Sequence, residues 1–183
     1  MNAGQATRYS LGAIFLHWLI AVLIVLNFIA AWISEDMPKV EAQQIMANHK
    51  AIGLTILALT ALRILWRAMH RPPPLAPTLK AWEAALANVT HTLFYLLLLA
   101  IPLAGWAMAS SFGKGGPIGF FGWFDVPALP VGYDRMTSGI FHEVHETGAT
   151  LLLVLFALHV AAALKHQFLD RDGTLRRMLP GRR

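Results

Sequence analysis

Eight histidines stand in this 183-residue chain, which contains no cysteine: His17, His49, His70, His91, His142, His145, His159 and His166. Without thiols, metal chemistry falls to imidazole and carboxylate. A lone histidine in a membrane span is often only an interhelical hydrogen-bond partner. The joint spacing of these carries more. His145 and His159 are fourteen residues apart. On a helix that is about 40° short of four turns, so both face one side, about 21 Å apart along the axis. Two ligands at two depths on one helix suit two cofactors near opposite membrane faces.

Each ligand needs a partner at its own depth. His17 lies as far into the first apolar stretch as His159 lies from the end of the last. His49 opens the second stretch on the side where His145 lies near the start of the fourth. The expected pairs are His17 with His159 and His49 with His145. Two imidazoles filling both axial positions suit the iron of a non-covalently held b haem that moves electrons. Zinc would want three or four ligands at one point. The string His142-Glu143-Val144-His145 lacks the i,i+4 histidines of a zinc-protease helix, and a surface metal site at His142 and His145 stands as the alternative. Gly53 follows His49 by four and Gly148 follows His145 by three. Glycine on a ligand's own face opens a groove for a flat macrocycle, or else lets helices pack closely. His91 is the rival ligand, expected to line a pocket on the His17 side. His166, one more pair of turns beyond His159, is placed to meet a propionate, to give a proton to a quinone, or merely to sit at the interface. His70 reads as an exposed loop residue.

The elements that must position these side chains are apolar helices. Hydrophobic residues make up 56% of the chain and charged residues 14%, and the charges cluster, leaving stretches long enough to span a bilayer. Spans are expected at about 11–33, 49–66, 89–108 and 144–164, giving an all-α integral membrane four-helix bundle as one domain over 1–183. Pro102 is tolerated inside the third span as a kink. Ser34–Asn48 reads as a polar connection, 67–88 as a stiff one containing Arg71-Pro72-Pro73-Pro74 and Pro77, and 110–141 as a loop whose Phe120, Phe121, Trp123 and Phe124 form an interfacial belt. No cleavable signal peptide is expected, because the first stretch is long enough to span.

The formal charge of +5 reflects topology rather than nucleic-acid binding. With four spans, the termini and second connection share one side. That side holds Arg8, Arg63, Arg67, Arg71, Lys80, Lys165, Arg171, Arg176, Arg177, Arg182 and Arg183; the other holds Lys39, Lys50, Lys114 and Arg135. The basic side is cytoplasmic, so both termini are expected there, in a bacterial inner membrane.

These residues resemble the bacterial cytochrome b561 family over nearly the whole chain. The marks are His17-Trp18; His49-Lys50-Ala51-Ile52-Gly53 with Arg63 and Arg67; His91 through Tyr95 with Pro102 and Gly105; His145-Glu146-Thr147, His159 and His166; and the tail from Asp170 to Pro180. The resemblance implies two b haems on His17, His49, His145 and His159, and electron exchange with ubiquinone, with His166 at a position associated with the quinone pocket. Some members resemble superoxide oxidases, which take electrons from superoxide on the periplasmic side. The expected route runs from the His49–His145 level to the His17–His159 level and on to ubiquinone. Lys50, beside a ligand, would attract an anion or pair with a propionate. Against such steering, the periplasmic regions carry Glu35, Asp36, Glu41, Asp125, Asp134, Glu143 and Glu146, unless Lys50, Lys114 and Arg135 form a local basic entrance. The alternative is an electron-relay subunit docking a separate redox protein, such as a hydrogenase or dehydrogenase.

Overall fold

The computed structural model describes residues 8–75, 79–112 and 115–179. Pro77, Lys114, Pro180, Arg182 and Arg183 lie outside the described residues. Helix α1 is Leu11–Glu35, and Ser10 caps it by accepting the N–H of Ala13 at 3.4 Å. Helix α2, Lys39–Met69, starts straight after Pro38 and stops ahead of Arg71-Pro72, a pair that disfavours helix. Helix α3 is Ala81–Ser111; the Glu83 carboxylate accepts the Lys80 N–H at 3.0 Å. Helix α4 is Arg135–Lys165, capped by Asp134, which accepts the N–H and hydroxyl of Thr137 at 2.9 and 2.7 Å.

One connection expected from hydropathy is largely helical, and another is shortened at its end. Only Asp36–Pro38 separates α1 from α2, so Ser34–Asn48 is mostly the polar beginning of α2; α4 likewise starts nine residues before Val144. Hydropathy marks where a helix leaves hydrocarbon. Helix ends are set by caps and prolines, and no breaker stands between Pro38 and His49.

Backbones pack closely from α1 to α2, α2 to α3 and α3 to α4, and only sparsely between α4 and either α1 or α2. Ile20, Ile24, Ile56, Leu98, Ile101 and Leu152 form the shared core. Phe15, Val22, Leu62, Leu96, Leu151 and Leu158 point outward. In water such a surface would drive aggregation; in hydrocarbon it is the solvated face. All four helices are long and apolar enough to cross a membrane, making this a multi-pass helical bundle.

Between α3 and α4 the chain forms an antiparallel hairpin, β1 (Ile118–Phe120) with β2 (Phe124–Val126), Gly119 opposite Asp125. Phe120 and Phe124 stack at 4.8 Å, and Trp123 projects from the turn. The segment is docked on α3: Ser110 Oγ accepts the Leu129 N–H at 2.9 Å and Trp106 Nε1 donates to the Pro127 carbonyl at 3.1 Å.

At the opposite end the chain's tail folds back over the bundle. Trp18 Nε1 donates to the Met178 carbonyl at 2.6 Å, Arg177 donates to the Pro74 carbonyl at 2.6 Å, and the Tyr9 N–H reaches the Arg177 carbonyl at 3.4 Å. The tail is thereby tied to α1 one residue from His17. Trp18→Phe removes one of these ties, worth about 1 kcal/mol. The expected result is faster tryptic cleavage at Arg176 and Arg177, with haem absorption unchanged.

Candidate functional site

Two pairs of histidines bridge the gap that separates α4 from α1 and α2. At the periplasmic level, the rings of His49 (α2) and His145 (α4) lie 6.1 Å apart between centroids, their planes at 69°. His49 Nδ1 is 3.2 Å from the Asn27 carbonyl of α1, and His145 Nδ1 is 2.9 Å from the Ile101 carbonyl of α3. A carbonyl only accepts, so both rings donate from Nδ1 and keep the Nε2 lone pair for a metal. The His145 contact depends on Gly105: a Cβ there would meet Nδ1 at 2.9 Å and Cε1 at 3.0 Å.

At the cytoplasmic level, His17 (α1) and His159 (α4) have centroids 6.3 Å apart and planes at 76°. Two imidazoles on opposite sides of one ion, each nitrogen about 2 Å from it, place ring centroids about 6.3 Å apart. Both pairs match that spacing, so the residues fit two axially ligated haems. His91 on α3 is also near His159, at 5.9 Å. However, α3 and α4 pack backbone to backbone, whereas α1 and α4 stand apart. A flat macrocycle has room only in the second of these gaps. His91 and Phe94, the latter 5.2 Å from His159, therefore wall the site.

The two levels differ in how their ligand rings are held. An Arg63 guanidinium nitrogen donates to His17 Nδ1 at 3.0 Å, and Arg63 also sits 5.9 Å from the Tyr95 ring centroid. With a cation donating to Nδ1, the ring proton lies on Nε2. For His17 to hold a metal through Nε2, that proton would have to leave or pass to Nδ1 with Arg63 moved aside.

The other candidates are dispersed. Gly53 faces α1, where a built Cβ would lie 3.8 Å from the Asn27 side chain, an ordinary contact that leaves room for a methyl group. Gly148 differs: the Ile101 side chain would lie 2.9 Å from its Cβ, so its missing side chain serves α3–α4 packing, and the groove expected beside it is filled. Lys50 is exposed beside His49, and no carboxylate lies within ion-pairing distance of it among the described residues. His142 pairs with Glu146 at 3.3 Å on the exposed face while His145 turns inward, so the two do not share a metal site. His70 is exposed and stacks on Trp66. His166 lines a cytoplasmic cavity of about 240 Å³ with Lys80, Glu83, Lys165, Asp170 and Asp172.

Sequence reasoning missed the support of these rings. Gly105 stood only among the marks of the resemblance, with no contact to His145 assigned to it, and the Asn27 carbonyl has no side-chain signature at all. Arg63 was legible as a cation near a span's end, but not as the partner of His17.

The sequence matches the prokaryotic cytochrome b561 family over residues 8–181. Cytochrome b561 homolog 2 of Escherichia coli (strain K12) is 34% identical over 176 residues, covering 94% of this chain and 91% of the relative. Cytochrome b561 homolog 1 of the same organism is 28% identical over 178 residues, covering 96% and 99%. A Yersinia pestis protein named probable superoxide oxidase CybB is 28% identical over 176 residues, covering 96% and 98%. Full-length similarity of this kind, with four spans in the same compass, makes this chain a member of the prokaryotic cytochrome b561 family: multi-pass, haem b-binding electron-transfer proteins of the bacterial inner membrane.

Proposed function

We propose that this cytochrome holds two b haems and oxidises superoxide at the periplasmic face while reducing ubiquinone near the cytoplasmic face. The observation that carries the two-centre reading is the pair of histidine bridges across one inter-helix gap, at levels about 21 Å apart along α4. His49 and His145 would hold one haem, His17 and His159 the other. Each, when bound, would supply a one-electron centre.

The remaining residues shape the two ends. Exposed Lys50 offers an anion an unneutralised positive charge beside His49, offsetting locally the acidic residues of that face. At the other end, His166 and the cavity it lines are accessible for quinone protonation, and His91 flanks His159. In balance, two superoxide ions lose one electron each and leave as dioxygen. Ubiquinone gains those two electrons and two cytoplasmic protons to become ubiquinol. The superoxide donor is supported by the name of the Yersinia pestis relative.

The test supplies enzymatically generated superoxide to the oxidised, purified protein with ubiquinone. Reduced haem bands and ubiquinol should appear, with Lys50→Glu slowing reduction by superoxide and leaving reduction by dithionite unchanged. If haems reduced by dithionite pass electrons to ubiquinone but superoxide never reduces them at a competitive rate, the superoxide reading fails. A relay subunit serving a partner redox protein then takes its place.

A further inference from the structure

The segment after α4 carries a device at His166. Residues His166–Asp170 wind as a single π-helical turn, and Arg171 and Gly173 then take left-handed conformations, φ 52° and 75°. These two reversals fold Asp172 back onto His166. The Asp172 N–H donates to the His166 carbonyl at 3.3 Å. One Asp172 carboxylate oxygen, Oδ2, accepts from His166 Nδ1 at 2.8 Å, and the other, Oδ1, accepts the Thr174 N–H at 2.9 Å. The Asp172 side chain is 5% exposed and that of His166 15%.

We infer that Asp172 is a positioning residue that commits His166 Nδ1, so that Nε2 is the atom that passes protons to a quinone in the adjoining cavity. This rests on the quinone reading of that cavity. Nε2 has no protein partner among the described residues. A histidine whose Nδ1–H is held by a carboxylate is fixed in tautomer and orientation, which leaves the opposite nitrogen for proton exchange.

Asp170 also approaches His166 Nδ1, at 3.0 Å, but its carboxylate is engaged by Lys165 at 2.5 Å, and Lys165 reaches Glu83 of α3 at 3.1 Å. Lys80 completes the charged lining. Lys165 thus supplies Asp170 with the cation that a metal ion among His166, Asp170 and Asp172 would otherwise provide. Burial works to raise the Asp172 pKa, but hydrogen bonds from Thr174 and His166 hold the carboxyl below the usual range, so it stays an anion. In the step itself, imidazolium gives its Nε2 proton to a quinone oxygen as the quinone takes electrons from the reduced cytochrome. The Nδ1 proton stays on His166, hydrogen-bonded to Asp172, and Nε2 is recharged from the cytoplasm.

The experiment mixes dithionite-reduced, haem-loaded full-length protein with a short-chain ubiquinone and follows haem reoxidation by stopped flow between about pH 6 and pH 9. Asp172→Asn should slow reoxidation at least about 10-fold and move its alkaline fall-off to lower pH. Asp172→Glu should restore much of the rate, and Asp170→Asn should stay near wild type. Thr174→Pro, which deletes the N–H holding Asp172 together with the Thr174 hydroxyl, should move rate and pH profile in the same direction by less. Haem bands and midpoint potentials should be unchanged throughout. An unshifted profile in Asp172→Asn, or equal slowing by Asp170→Asn, overturns the inference. If Asp172→Asn does not yield intact haem bands, Thr174→Pro decides: a wild-type profile there overturns it. Failure of the reduced wild-type protein to react with ubiquinone would instead sink the quinone reading itself.

Discussion

A His49→Ala variant should purify with one haem per chain where the wild type carries two, and the one retained should show the absorption and midpoint potential of the cytoplasmic centre. His49 and His145 face each other at 6.1 Å, and each is held through Nδ1 by a backbone carbonyl belonging to a neighbouring helix. Removing one ring deletes an axial position and leaves Nε2 of the other without its counterpart. The His17–His159 pair uses different residues of α1 and α4, with Arg63 and Phe94 around it. The core of Ile20, Ile24, Ile56, Leu98, Ile101 and Leu152 lies between the two levels and does not depend on either haem ligand. His159→Ala should give the reciprocal spectrum. Haem content by pyridine haemochrome and a redox titration check both variants. Loss of the cytoplasmic centre alone in His49→Ala would mean that the pairing is wrong.

The second large effect is expected from Gly105→Val, a substitution that touches no ligand atom covalently. A single Cβ at Gly105 would already stand 2.9 Å from His145 Nδ1 and 3.0 Å from Cε1. The ring cannot swing away freely, because Nδ1 is bonded to the Ile101 carbonyl at 2.9 Å and α3 packs tightly on α4. Overpacking of this kind costs about 1–3 kcal/mol. Here that cost falls on ligand orientation, since the ring is the side chain displaced. We expect the periplasmic haem to be lost or its low-spin spectrum to be disturbed, with the cytoplasmic haem intact. Gly105→Ala should show the same change to a smaller degree, and Gly53→Ala, with only a 3.8 Å contact, should leave helix packing unaffected. Electron paramagnetic resonance of the oxidised variants reads each low-spin centre separately. An unaltered periplasmic signal in Gly105→Val would show that the close approach is not a constraint.

Four apolar stretches, their direction and the two-level spacing of His145 and His159 were legible in the sequence because each follows from local chemistry. Hydrocarbon demands long uncharged helices, cytoplasmic ends collect Lys and Arg, and a helix repeats its face at a known interval. The depth matching that set His17 with His159 and His49 with His145 needed only span boundaries, and the structure brings those rings within 6.3 and 6.1 Å.

Tertiary structure decided the rest. Polar residues Lys39–Asn48 continue α2 because caps and prolines, rather than polarity, end a helix. Gly53 and Gly148 are both set beside a histidine on its own helix, yet one faces the Asn27 side chain at an ordinary 3.8 Å contact and the other is crowded by Ile101, since a neighbour's position is not written in either segment. His91 and His17 are both near His159, and only the separation of α1 from α4 gives one of them room for a macrocycle. The acceptors that orient the ligand rings are backbone carbonyls, which every residue carries, so no residue type announces them. Those residue types determined that this chain is a membrane bundle with histidines at two depths. Which neighbours hold, crowd or leave space around each ring emerged only from the packing of helices distant in sequence.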